Sequence, residues 1–166
     1  LFANDGLVNY VLVNLGILDK PYNFLTQPFA AKIVIILALL WRWTGYNMVF
    51  FLSGLQNIEY SVYEAAKIDG ASAIQTFFKI TVPLLKPTIL LTAIMSTNGT
   101  LQLFDESINL TDGGPANASI SMSHYIYNLC FKYVPNFGYA AAMSFFILLL
   151  VAVLAFIQMR VGDKRD

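Results

Sequence analysis

Two short runs of polar side chains interrupt otherwise apolar sequence, and their chemistry suits a solute rich in hydroxyls. Arg42, Thr44, Tyr46 and Asn47 form the first run; Ser96, Thr97, Asn98, Thr100 and Gln102 form the second. Hydroxyls and amides exchange hydrogen bonds with such a solute, and the ring of Tyr46 offers it an apolar platform. Ser96 and Thr100 stand four apart and so share one side of a helix. The same groups serve equally well as hydrogen bonds between packed helices. A guanidinium at membrane depth needs a partner or water, and for Arg42 that partner is Asp105, Glu106 or a carboxylate outside this chain.

Catalytic and metal chemistry find less footing. One cysteine, Cys130, and one histidine, His124, make neither an internal disulfide nor a Cys/His metal cluster. His124 falls in a loop without an acid nearby, and is expected to be packed or exposed rather than part of a proton relay. Asp105, Glu106 and Asp112 follow no cation-site spacing. No paired catalytic set and no phosphate-binding glycine loop occur, so the chain reads as neither an enzyme nor an ATPase. No cofactor is expected, and energy for any active process has to come from a partner.

The elements that carry these residues are membrane spans. Of 166 residues, 57% are hydrophobic and only 12% charged, against about a quarter charged in soluble domains. Net charge is zero, which leaves no basic field for nucleic acid. Three apolar stretches, 31–52, 84–104 and 138–157, match the roughly 20 residues that cross a bilayer as helix. Trp41, Trp43 and Tyr46 lie inside the first stretch and are expected to pack on other helices or line a path rather than form an interfacial belt. Lys67 and Lys79 lie between the first two spans with Lys86 at the edge, and Arg160, Lys164 and Arg165 follow the third. The positive-inside rule therefore puts residues 56–83 and the tail in the cytoplasm, with residues 1–30 and 105–137 outside. Leu1 is not methionine, no signal-type segment opens the chain, and the sequence reads as starting inside a longer protein.

Between the spans, shorter helices are expected. Leu7, Val8, Val11, Leu12 and Leu15 recur at helical spacing, with Asn4 or Asp5 as cap and Gly16 as stop. Residues 121–131 form a similar helix, and 111–115 a turn. Residues 59–83 read as two helices broken at Gly70. Val62, Ala65, Ala66 and Ile68 make a small-residue face on the first, with Glu64, Lys67 and Asp69 outside it; Ile74, Phe77, Phe78 and Ile80 make an apolar side on the second. Pro83 and Pro87 bracket the entry to the next span.

That segment carries a family resemblance. Glu64-Ala65-Ala66, three residues, Gly70, nine residues and Ile80-Thr81-Val82-Pro83 resemble the EAA motif of binding-protein-dependent ABC importer permeases, with Val82 where the family usually has leucine. Leu110-Thr-Asp-Gly-Gly-Pro115 and Phe137-Gly-Tyr-Ala-Ala-Ala142 resemble the carbohydrate permeases of the maltose type. The resemblance implies an all-α, polytopic membrane helix bundle of the type I importer permease core, here as one partial domain with three transmembrane helices and without its N-terminal half. It implies a coupling segment in which Glu64, Ala65, Ala66, Gly70, Ile80 and Pro83 dock on an ABC ATPase subunit. A second homologous permease subunit, an extracellular solute-binding protein, a sugar substrate and the bilayer of a bacterial or archaeal cell membrane are its other implied partners. It also implies sugar contact by Tyr46, Ser96 and Thr100, with Asn98 and Gln102 as softer matches. An ion-coupled secondary transporter working through Arg42, Asp105 or Glu106 is the alternative, and it leaves Glu64 to Pro83 unexplained.

Overall fold

A computed structural model of the chain describes residues 1–162. Lys164 and Arg165, which enter the orientation argument, lie outside the described residues. Helices and connecting turns make up the fold, with no strand among the described residues. Two helices are long and apolar enough to cross a membrane: α2, Pro28–Gln56, and α9, Phe137–Gly162. Proline begins α2, where a missing N–H leaves no bond unmade. The Asn136 side chain begins α9 by accepting the Tyr139 amide at 3.1 Å.

Between them lie α3, Tyr60–Ile68; α4, Ala73–Thr76; a π-helical turn, Phe77–Thr81; α5, Val82–Leu84; and α6, Lys86–Leu101. At 16 residues α6 is short for a span, and it reaches the required length only together with 73–84, from which it bends by 66°. The bend falls between Pro83 and Pro87, neither of which can donate to the helical ladder.

The helices fall into two compact units. One comprises Leu1–Trp41 and Thr100–Leu148. It contains α1, Leu7–Asn14, then the start of α2, then α7, Asp105–Thr111, and α8, Met122–Tyr127, which runs into a second π turn, Asn128–Lys132. The helix α1 stops as expected: Gly16 takes φ +69°, its amide reaches Val13, and the Ile17 amide reaches Leu12. It does not start as expected. Neither Asn4 nor Asp5 caps it, because a tight turn from Ala3 puts Gly6 at the cap position, with no side-chain bond. The anchor is Asn9, fully buried, whose side chain bonds the carbonyls of Ala3, Asn4 and Tyr22 and the Tyr22 amide at 2.8–3.3 Å.

The other unit comprises Arg42–Gly99 and α9 from Leu149 onward. Its helices meet over glycine. A Cβ on Gly99 would lie 2.2 Å from the Trp43 ring, and one on Gly54 would lie 2.8 Å from Leu85. Close approach over small residues is how helices pack without a hydrophobic driving force in lipid.

Candidate coupling and pathway sites

The 59–84 segment is rigidly built. The end of α3 is a left-handed glycine: Gly70 takes φ +73°, its amide bonds Lys67, and the Ala71 amide bonds Ala66. Nothing would crowd a Cβ there, so conformation alone demands glycine. Ser72 and Gln75 then form a reciprocal capping box at 2.8 and 3.3 Å that starts α4. Across the turn, the Tyr63 hydroxyl lies 3.2 Å from Thr81 Oγ1.

On this frame the motif residues divide by exposure. Glu64, Ala65, Gly70 and Pro83 are exposed, Ile80 is half-buried and Ala66 is buried. The expected face of Val62, Ala65, Ala66 and Ile68 splits in two. Val62 and Ala66, one turn apart, face inward, whereas Ala65 and Ile68 face out, because a step of three and a step of four leave opposite edges of the stripe. Ile68 is 85% exposed and Phe78 65%, with Ile74 and Phe77 also open. Large apolar side chains left this exposed, with the Phe77 and Phe78 ring centres 5.0 Å apart, are what a contact surface offers a partner.

The two polar runs have more than one use. Ser96 on α6 meets the Asn47 side chain on α2 at 3.0 and 3.2 Å, and Thr97 accepts the Gln158 amide of α9 at 2.8 Å. These bonds tie helix to helix. Tyr46 is exposed, its ring 5.5 Å from Trp43 and 5.0 Å from Phe50. Asn98, Thr100 and Gln102 are also exposed. The Arg42 guanidinium lies 5.8 Å from the Trp43 ring centre, a cation–π contact.

A buried network in residues 105–132 had no forerunner in the sequence. Ser107 Oγ donates to the Ser119 carbonyl, accepts the Ser121 amide, and lies 2.8 Å from His124 Nδ1. Thr111 joins Ser119 at 2.7 Å, and Ser119 also bonds the Gly114 carbonyl. His124 is indeed packed, completely, but the expectation that no acid stands nearby is wrong: Asp112 Oδ1 is 3.6 Å from its Nε2. The chain reverses through left-handed Asp112, Gly113, Ala116 and Asn117, which carries the acid back over the ring. Burial lowers the His124 pKa, Asp112 raises it and Lys132 lowers it again. Lys132 holds Asp112 at 2.8 Å, which lowers the carboxyl pKa and raises that of the amine. Serine, histidine and aspartate meet here without forming a hydrolytic site, since Ser107 is wholly buried and its hydroxyl is already committed. Among the described residues no group of three acids, histidines or cysteines is placed to hold a metal ion.

Residues 7–165 match the family described as the binding-protein-dependent transport system inner membrane component. The lactose transport system permease protein LacF of Rhizobium radiobacter is 54% identical over 99% of this chain and 56% of its own length. The trehalose/maltose transport system permease protein MalF of Thermococcus litoralis is 37% identical over 96% of this chain and 53% of its own length. The chain thus spans about half the length of the curated relatives it matches. Among solved structures, a bacterial ABC transporter involved in the import of the acidic polysaccharide alginate aligns with a TM-score of 0.81 at 26% identity, covering 95% of this chain and 54% of that one. A second alginate transporter structure, in complex with an alginate pentasaccharide-bound periplasmic protein, aligns with a TM-score of 0.71 at 27% identity, over 95% of this chain and 53% of that one. With its all-helical fold, its apolar helices of membrane-spanning length and a match over nearly its whole length, the chain belongs to the family of inner membrane components of binding-protein-dependent transport systems.

Proposed function

We propose that this chain is the membrane-spanning part of a permease subunit in an ATP-driven sugar importer. Residues 31–52 and 138–157 cross the bilayer within α2 and α9, and 84–104 make the third crossing through the short α6, with 56–83 in the cytoplasm and 105–137 outside. An ABC ATPase subunit docks on the segment that carries Glu64, Ala65, Ala66, Gly70, Ile80 and Pro83, touching the exposed Glu64, Ala65, Gly70 and Pro83 while buried Ala66 and half-buried Ile80 support them from inside. A second permease subunit pairs with this one, and an extracellular binding protein delivers the solute. The observation that carries the reading is the capped and braced 59–84 frame, on which Glu64, Ile68, Ile74 and Phe78 are each left exposed. Membership of a binding-protein-dependent family supports it over an ion-coupled transporter. The sugar class rests on relatives named for lactose and for trehalose and maltose. Tyr46, Ser96 and Thr100 are the pathway residues, with Asn98 and Gln102 beside them.

The test is uptake of lactose, maltose and trehalose by the full protein with its ATPase, partner permease and binding protein. Glu64→Lys is expected to abolish uptake and ATPase co-purification while the permease stays in the membrane. Normal coupling in that variant removes Glu64 from the docking surface. Topology is tested by cysteines at Lys67 and Asn117 in intact cells, where labelling from the same side overturns the orientation.

A further inference from the structure

The bond between Tyr63 and Thr81 has no role in the sugar path and does not belong to the exposed docking surface. Tyr63 lies on α3, Thr81 closes the π turn 18 residues later, and their hydroxyl oxygens are 3.2 Å apart. Thr81 is buried, Tyr63 half-buried. Thr81 Oγ1 also reaches back to the Thr76 carbonyl at 3.5 Å, and the Leu85 amide bonds the Thr81 carbonyl at 2.9 Å. One residue therefore connects α3, the wide turn and the start of the 66° bend into α6. The turn itself is wide, since at its end the Val82 amide reaches five residues back to Phe77 rather than four. Without a brace, a push on α3 would be absorbed at Gly70 and in that turn before reaching α6.

We infer that Tyr63 and Thr81 are positioning residues that make α3 and the base of α6 move as one piece, so that motion of a docked ATPase subunit reaches the membrane helix. The inference rests on the importer reading. It assigns a transmission role to a bond that neither the docking residues nor the pathway residues supply.

The experiment measures sugar uptake and ATP hydrolysis by the full complex carrying Tyr63→Phe, Thr81→Val, both together, or Thr81→Ser. Losing one neutral hydrogen bond of this kind is worth about two- to tenfold, and uptake per ATP hydrolysed is expected to fall by that factor in each single variant. The double variant should fall no further than the worse single one, because both remove the same bond. Thr81→Ser, which keeps the hydroxyl, should transport as the wild type does. Amounts in the membrane, ATPase co-purification and thermal stability are measured alongside. Unchanged uptake per ATP in both single variants overturns the inference, as do additive losses, failure of Thr81→Ser to restore coupling, or losses explained by reduced assembly. A wild-type complex that hydrolyses ATP yet takes up none of lactose, maltose and trehalose overturns the importer reading instead, and this inference with it.

Discussion

Residues 105–132 and residues 59–84 are both chains of short helices between long ones, yet they dispose of their side chains in opposite ways. The first turns polar groups inward and pairs them: Ser107, Thr111, Ser119 and His124 form a closed network beneath Phe104, whose ring centre is 5.9 Å from that of His124. The second turns apolar groups outward on a backbone that reverses at a left-handed glycine and is held by a capping box and the Tyr63–Thr81 bond. A segment whose buried polar side chains bond largely to one another holds its shape by itself. A stiff segment with an open apolar surface is shaped for another surface, and the two should answer mutation differently.

The largest effect is expected at Phe78. Phe78→Asp places a charge in the proposed contact and should weaken ATPase association by about 4 kcal/mol, the scale of an interface hot spot. Because the side chain is exposed in this chain, the permease's own melting temperature should not move. A matching loss of stability would mean that Phe78 packs within the permease. Ser107→Ala reverses the pattern. It strips partners from the Ser119 carbonyl, the Ser121 amide and His124 Nδ1, and should destabilise residues 105–132 by about 3 kcal/mol. Protease resistance of that segment reports it, with ATPase association unchanged.

A smaller effect is expected where helices pack. Gly99→Ala drives a methyl into the Trp43 ring, and overpacking of this kind costs about 1–2 kcal/mol. Thermal denaturation of the membrane-embedded protein measures it. Gly70→Ala, with nothing near the added methyl, should cost only the strain of φ +73° and tell in uptake more than in melting.

The contrast between the regions was only half legible in the sequence. The break at Gly70 and the helix entry were readable because their signals are local: a glycine after a helical run, and Pro83 and Pro87 before the next span. The stripe on α3 was misjudged, since four apolar positions over seven residues span more arc than one buried face holds. The network around His124 was out of reach for a different reason. The partners of Ser107 are 12 to 17 residues away, brought back through left-handed Asp112, Ala116 and Asn117, and non-glycine residues rarely announce that conformation. Trp43 was expected to pack on another helix, and a wide ring facing Gly99 is that packing.

The smallest effect is a pH dependence confined to residues 105–132. Burial lowers the His124 pKa below its ordinary 6.5, so the unfolded segment binds more protons than the folded one as pH falls past that value. Stability from His124 is therefore complete above pH 6.5 and declines below it, down to the lowered folded pKa. Asp112, also lowered, adds its own loss only below 3.8, which leaves the interval from 6.5 to 3.8 to the histidine in this network. Hydrogen exchange of the 105–132 amides should accelerate over that interval. Asp112→Asn sharpens the test, because asparagine tolerates the left-handed position and removes the one charge here that favours protonated His124. With the folded pKa lower still, the decline should continue to more acid pH than in the wild type. A decline that ends at the same pH in Asp112→Asn as in the wild type would mean that the carboxylate does not act on the ring across the 3.6 Å separating them.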